Sequence, residues 1–475
     1  MMQLSVPRWT LCMFVLGALC ATAASVTAHP GHNGAEDEAD GPPQITPLDA
    51  ILPGGREGDD GPKLSAVVAQ LLDDPVLTES ERRLLAIFHG QWETVDNPTV
   101  AEQARIALRR YDLKAPALFD AQSDAHIRAE AALHRGDPAM TLDLLAEDPT
   151  AHAAVLRALA HEQRGEMEAA VAALVPWRDR LGVETIDSAA ELVAATNAMV
   201  MLARLEGRPA QEYHLAMTLL GKAVADLDRL YCPQHPAEAR LLQEKGNPPQ
   251  AVAALNDALS LNPNCSQAWH LLGVMAVDSY NFDRAELCIR KLREINSDHP
   301  LADLLAAEMY LTQRDPDSAA PAIDRLLDAY PTHREALAMR AAVAALRYDT
   351  QATRDAVAAF DALAPGHPLA DFTVGRFLSM ARQYRDAEAY LRSAIRKSPN
   401  LPAPHLELGL LLMQSGDERE ALDALRIAQQ IDPFHVRVNN QLKLVNELLS
   451  YDQIETEHFI IKFHPGRDEV LVGRI

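Results

Sequence analysis

The sequence has very little cysteine for its length, with five in 475 residues. Cys12 and Cys20 lie in an apolar N-terminal segment, which leaves Cys232, Cys265 and Cys288. An odd number at this low density excludes a disulfide framework as the basis of stability. A single Cys232–Cys265 bridge and three packed free thiols are both compatible with the sequence.

Aromatic residues and positive charge are also scarce. Aromatic residues make up 5% of the chain, and 44 basic residues face 67 acidic ones, so the formal net charge is −23. Without a Lys/Arg run, this charge disfavours binding to nucleic acid or to an anionic membrane. No segment beyond the N-terminus is apolar for long enough to span a bilayer. Abundant Ala and Leu with few aromatics is typical of closely packed helices.

The N-terminus has the pattern of a signal peptide over residues 1–28. Arg8 precedes an apolar run over residues 11–24 that is too short for a comfortable membrane span. Residues 26–28 (Val-Thr-Ala) form a small-residue cleavage site, so we expect the mature chain to begin at His29, without a stable membrane span. The alternative is an uncleaved anchor. The sequence therefore predicts an exported protein, periplasmic or extracellular.

Two segments precede the regular part of the chain. Residues 29–63 are rich in Gly, Pro, Asp and Glu, and we expect this acidic linker to be disordered. Residues 64–231 are predicted to form divergent pairs of helices. The expected turns within three of these pairs contain Gly136, Gly165 and Gly207.

The second half of the chain shows an internal period of 34 residues. Prolines occupy one set of positions: Pro263, Pro331, Pro365, Pro399 and Pro433. Small residues occupy a second set: Gly273, Ala307, Ala341, Gly375 and Gly409. A third set holds Ala251, Ala285, Ala319, Thr353, Ala387 and Ala421. Each period predicts two antiparallel helices that cross at the small residues, with proline ending the second helix.

These units resemble the tetratricopeptide repeat, whose pattern is W-x2-L-G-x2-Y, A-x3-F and P. The matching residues are Trp269, Leu272, Gly273, Ala285 and Ile289 in one unit, and Leu408, Gly409, Gly416, Ala421, Leu425, Ala428 and Pro433 in another. The resemblance implies an all-α fold, a right-handed superhelical solenoid of antiparallel helix pairs, with a regular array over residues 232–450. Its units are 232–265, 266–299, 300–333, 334–367, 368–401 and 402–435. A helical repeat of another kind is the alternative.

The resemblance also implies a partner-binding groove on the concave face, formed by the first helix of each unit. The residues expected there in the last two units are Leu369, Phe372, Arg376, Ser379, Met380, Ala403, Leu406, Leu410, Met413 and Gln414. This groove is largely apolar, so it suits an amphipathic helix or an extended apolar peptide. For Leu369 and Leu406, packing between repeats is an equally good interpretation.

Catalytic motifs are incomplete. His161-Glu162 begins like H-E-x-x-H, but Gly165 stands where the second zinc ligand belongs. There is no P-loop, Rossmann fingerprint or nucleophile elbow. We therefore expect no catalytic residue, metal or cofactor in this chain, and a protein or peptide as partner.

Residues 451–475 differ from the repeats. The segment 457–463 alternates like a strand, and Asp468-Glu469 favours a helix start. Residues 451–465 resemble the opening strand of the peptidase MA-like (gluzincin) metallopeptidase domain that follows tetratricopeptide repeats in some exported bacterial proteins. The resemblance implies that this segment begins a truncated α/β domain, whose H-E-x-x-H helix would lie beyond Ile475. Two hypotheses follow: an exported binding scaffold, or the N-terminal part of a zinc peptidase.

Overall fold

The computed structural model describes residues 62–181, 185–208, 210–455 and 460–466. The predicted signal peptide and the predicted helix start at residues 468–469 lie outside these ranges, as does the linker up to residue 61. Among the described residues, no helix has the length and apolar character needed to cross a membrane.

The first part of the described chain is a series of irregular helix pairs. Its α-helices are α1 (Ala66–Leu72), α2 (Glu79–Phe88), α3 (Val100–Arg109), α4 (Ala125–Arg135), α5 (Pro138–Leu144), α6 (Ala151–Gln163), α7 (Met167–Leu181), α8 (Ala189–Leu205) and α9 (Tyr213–Lys222). Short 3-10 helices at Trp92–Thr94 and Pro116–Leu118 take the place of the second helix after α2 and α3. Thr78 and Glu81 form a capping box at the start of α2.

The second part is regular. Its helices are α10 (Gln234–Glu244), α11 (Pro248–Leu261), α12 (Ser266–Asp278), α13 (Phe282–Ile295), α14 (Pro300–Thr312), α15 (Pro316–Ala329), α16 (Arg334–Leu346), α17 (Thr350–Leu363), α18 (Leu369–Met380), α19 (Tyr384–Lys397), α20 (Pro402–Ser415), α21 (Glu418–Ile431) and α22 (Val436–Leu449). Each of the six predicted units holds one pair, and α22 follows the last pair alone. The predicted all-α solenoid is confirmed.

The small residues lie where the two helices of a pair cross. A Cβ atom on Gly409 would stand 2.6 Å from Cγ of Leu425, and one on Gly375 would stand 2.8 Å from Cγ of Leu391. Ala285, at the equivalent crossing on a second helix, is fully buried. Larger side chains would force the helices apart, so these positions set the interhelical distance.

Five of the regular units carry the periodic proline. In each of them the second helix ends two residues before the proline. The capping residue between them is extended, as at Asn262 before Pro263 (φ −146°, ψ 93°), because proline disfavours the helical conformation in the residue before it. Trp269 then packs over this junction and donates its indole N–H to the carbonyl of Pro263 at 2.8 Å. The periodic proline that identifies the repeat in the sequence therefore also forms the junction between consecutive helix pairs.

A left-handed residue occupies the turn inside each pair, and we call it the tip. The tips are Gly90, Tyr111, Gly136, Gly165, Gly207, Gly246, Tyr280, Arg314, Tyr348, Arg382 and Gly416. Turns predicted at three of the first-part glycines are confirmed. The last six tips are spaced by 34 residues, a fourth periodic set that the sequence conceals because its residue types differ.

The first part of the superhelix rests on the second. Each of the six tips from Gly90 to Gly246 approaches the loop that follows the fifth helix pair after its own, and we call this line of contacts the seam. The loops involved are residues 262–264, 296–299, 330–333, 364–367, 398–401 and 432–435. Asn264 Nδ2 donates to the carbonyl of Gly90 at 2.8 Å, and Thr332 Oγ1 donates to that of Gly136 at 2.9 Å.

Residues beyond α22 form a small antiparallel hairpin. Strand β1 (Asp452–Glu455) pairs with β2 (Ile460–Phe463), with Asp452 opposite Phe463. The sequence predicts one strand here, and β1 was missed because Ile454 is its single apolar residue. Lys462 forms an ion pair with Glu418 of α21, which fastens the hairpin to the last repeat.

Candidate partner-binding surface

The first helices of the regular units pack against one another in succession and form the inner, concave face. Most of the residues predicted to line it in the last two units are partly exposed: Leu369, Phe372, Arg376, Met380, Ala403, Leu410 and Met413. Gln414 is exposed. Ser379 and Leu406 are buried, at 6% and 4% exposure. The burial of Leu406 supports its interpretation as a packing residue between repeats, since it lies in the core of the last repeats.

Arg376 crosses the concave face. Its guanidinium contacts Oδ1 of Asp278 at 2.9 Å and Oε1 of Glu308 at 3.0 Å. Asp278 lies three repeats before Arg376 in the chain. The two residues therefore meet across the interior, and the interior is narrow at this level.

The charges of this cluster are partly withdrawn from water. Burial raises the pKa of Asp278, although 48% of its side chain is accessible, because protein surrounds it on several sides. Burial also opposes the charge of Arg376, but the carboxylates of Glu308 and Asp278 more than offset this and raise its pKa. This cluster of three charged side chains therefore lies in a fixed position beside the apolar residues of the concave face.

Further polar groups face the interior from neighbouring first helices. Burial, with a smaller effect of the Arg240 guanidinium, lowers the pKa of His270 to about 4, so this imidazole is neutral at pH 7. The hydroxyl of Thr312 is buried without a hydrogen-bond partner among the described residues. Nε2 of His270 is buried in the same way, so neither atom is exposed to a bound segment in this conformation.

Earlier in the chain, Glu130 lies between His134 and His152, at 3.8 and 3.7 Å. Burial opposes ionisation of Glu130, but the two imidazoles outweigh it and lower its pKa. Burial likewise opposes the charge of His152, and Glu130 reverses this and raises the pKa of His152. The described residues contain no group of three or more His, Cys, Asp or Glu arranged to hold a metal.

The residues of the incomplete zinc motif have structural partners within the first part of the chain. His161 Nδ1 lies 2.7 Å from Oε2 of Glu166, just past the Gly165 tip. The Glu162 carboxylate accepts two hydrogen bonds from the Arg204 guanidinium, at 2.9 and 2.8 Å. His161 thus contacts the turn of the α6–α7 pair, and the Glu162–Arg204 ion pair joins α6 to α8.

All three cysteines outside the N-terminal segment are free thiols. Cys232 and Cys288 are buried and Cys265 is partly exposed. The Cys232 Sγ donates to the carbonyl of Ala258 at 3.5 Å. Of the two arrangements compatible with the sequence, the structure has the unbridged one.

The match to a family model agrees with the periodic units of the second half of the chain. The tetratricopeptide repeat family model matches residues 237–300, 276–334 and 380–436. No curated protein sequence matches the chain. Similar solved structures include the Cut9–Hcn1 heterotetramer of APC/C (14% identity, 80% of this chain, TM-score 0.39), yeast Tom70 (14%, 73% of this chain and 87% of that one, 0.37) and YrrB, a repeat protein with an unusual peptide-binding site (17%, 40% and 98%, 0.23). This chain spans 66% of the first of these.

The fold and its periodic crossings define a superhelix of helix pairs, the class of fold that serves as a scaffold for protein–protein interaction. More particularly, residues 237–334 and 380–436 match the tetratricopeptide repeat model, as the sequence period predicts. The resemblance of residues 451–465 to a metallopeptidase strand gains no support from these comparisons.

Proposed function

We propose that the concave face of the regular array binds an apolar or amphipathic segment of another protein. The observation that carries this proposal is the strip of partly exposed apolar side chains on α18 and α20: Phe372, Met380, Leu410 and Met413. An amphipathic helix or an extended peptide can bury its apolar side against such a strip. The two methionines are flexible and adapt to varied partner surfaces.

Site-directed photo-crosslinking in the source cells tests the proposal. A photoreactive residue in place of Met413 should crosslink to a discrete protein, because Met413 lies on the concave strip. The same residue in place of Arg396, on the second helix α19, is the matched control and should give no such product. Leu410→Glu should abolish the Met413 product by placing a charge against the apolar side of the partner. Equal crosslinking from both positions would argue against a concave site.

Export is a further part of the proposal, and it rests on the pattern of residues 1–28. N-terminal sequencing of the native protein should find His29 as the first residue. Recovery of a chain that begins at Met1 from the cytoplasmic fraction would refute export.

A second candidate function is that of a substrate-presenting region of a zinc metallopeptidase. The hairpin β1–β2, fastened to α21 through Lys462, is the observation that favours it, together with the resemblance of residues 451–465. The intact mass of the native protein decides between the two. A mass slightly below 52.0 kDa would favour the scaffold. A much larger mass, together with bound zinc, would favour the peptidase.

A further inference from the structure

The seam is built around glycine. A Cβ on Gly165 would stand 3.2 Å from both Cδ and the carbonyl oxygen of Pro365, and one on Gly136 would collide with Thr332 Oγ1. The backbone of a tip therefore comes close to the loop opposite it. A side chain at these tips would hold the two sides of the seam apart, and we call these sides its two layers. Tyr111 is the exception at the seam, and its ring stacks on His299 with centroids 5.0 Å apart.

The same left-handed position carries large residues away from the seam. Tyr280, Arg314, Tyr348 and Arg382 all have φ near 60°, and all are exposed, with Tyr280 at 62% and Tyr348 at 76%. The turn itself thus accepts a side chain, at a cost of roughly 1–2 kcal/mol. Gly416 and Gly466, also left-handed, have open space around them. Close approach at the seam, more than the turn conformation, is what requires glycine there.

The last contact of the seam is an ion pair in the protein interior. Lys245 Nζ lies 2.7 Å from Oδ2 of Asp432, and the side chains are 3% and 2% exposed. Beside it, the Val436 amide donates to the carbonyl of Lys245 at 2.8 Å. Because a buried ion pair tolerates little misalignment, this pair fixes the register of the two layers.

The seam closes the lateral gap between successive turns of the superhelix, and Arg376 spans the interior to Asp278. We propose that the seam is a gate: it shuts the concave face from the side, and a partner engages that face after the seam parts. This inference rests on the proposed concave-face function. It adds a conformational step, so binding is limited by the fraction of molecules in the open state.

A pair of matched double variants tests the gate. Gly136→Asn with Gly165→Asn places side chains between the layers of the seam. Gly416→Asn with Gly466→Asn places the same residue at equally left-handed positions (φ 89° and 81°) that face open space and lie outside the seam loops. Asn tolerates this backbone conformation, so the two variants differ in close approach alone.

The readout is the labelling rate of a cysteine on the concave face, which needs no knowledge of the partner. Arg240→Cys reports on the concave face and Arg290→Cys, on a second helix, on the outer one. The native thiols are replaced by Ser or Ala: Cys232, Cys265 and Cys288. With a maleimide on a long polyethylene glycol chain, the seam variant should label at residue 240 about tenfold faster than the parent. The control variant, and residue 290 throughout, should be unchanged.

An unchanged rate at residue 240 in a folded seam variant would overturn the gate. If that variant does not fold, hydrogen exchange of the unmodified protein decides. The Val436 amide should exchange through a local opening, faster than amides inside α12 and α14. Exchange of Val436 only with global unfolding would overturn the proposal. Either outcome leaves the crosslinking test of the concave face independent, so the two proposals can fail separately.

Discussion

At the scale of single residues, the volume at each helix crossing decides whether a second helix can pack there. Gly409 on α20 meets Leu425 of α21 at this crossing. The position 34 residues later is Lys443, which is exposed on α22. A long charged side chain there leaves no room for a following helix, so α22 ends the regular stacking.

Gly409→Trp should therefore separate α20 from α21 and destabilise the protein by at least ~1–3 kcal/mol. Lys443→Trp, at the same repeat position without a crossing helix, should change stability by less than ~0.5 kcal/mol. Urea unfolding of both variants measures the difference. Equal stability of the two would show that the crossing has been misplaced.

The buried pair of the seam gives a second prediction at this scale. Lys245→Ala leaves the Asp432 carboxylate buried without its cation, and should cost ~3–5 kcal/mol. Lys245→Met combined with Asp432→Leu removes both charges and should restore most of this loss. A double variant as unstable as the single one would mean that the ion pair itself, and not its desolvation, dominates.

At the scale of elements, caps define where the irregular helices begin. Thr99 caps α3, and Glu102 both completes this capping box and accepts two hydrogen bonds from Arg83 of α2, each at 2.8 Å. The Arg83 hydrogen bonds, with smaller contributions from Thr99, lower the pKa of Glu102 from its ordinary 4.5 to about 2. One carboxylate thus joins two helices.

Because that pKa is lower in the folded state, ionised Glu102 stabilises the fold at any pH above about 4.5, and this contribution is lost as the pH falls towards 2. Arg83→Met should therefore lower the melting temperature at pH 7 and flatten its fall between pH 4.5 and 2. Melting curves across this range, for parent and variant, check it. Parallel pH profiles would show that Glu102 does not contribute.

The elements of the regular part follow from the sequence, since the prolines and small residues repeat at a fixed spacing. The first part has no fixed spacing, so glycine turns were predictable there but helix bounds were not. The seam could not be predicted, because it joins residues almost 200 positions apart whose contacts depend on the superhelical pitch. For the same reason the sequence places Arg376 on the concave face but does not reveal Asp278 as its partner.

Burial on the concave face is also decided by tertiary packing. The repeat positions of Leu406 and Leu410 are equivalent for an inner surface, yet Leu406 lies in the core while Leu410 is partly exposed. Helical periodicity assigns a face but not how deeply the neighbouring repeat covers it. The periodic pattern of the sequence therefore locates the concave surface more reliably than it predicts how exposed each residue on that surface is.

At the scale of the whole molecule, the seam changes how the repeats cooperate. In an open solenoid each repeat contacts its neighbours alone, so stability propagates along the chain. Here the first-part tips also contact loops five to six pairs later, through hydrogen bonds such as Thr332 to Gly136. Unfolding of either layer exposes the seam surface of the other, which couples the two layers directly.

We therefore expect both layers to unfold in one transition. Trp177 lies buried in the first part and Trp269 in the second, so variants that retain one of these tryptophans report on each layer separately. Their fluorescence transitions in urea should coincide in the parent. With Gly136→Asn and Gly165→Asn added, the Trp177 transition should move to lower urea than that of Trp269, whereas the Gly416→Asn and Gly466→Asn control should keep them together. Separate transitions in the parent would mean that the seam carries little free energy and that the repeats behave as an open solenoid.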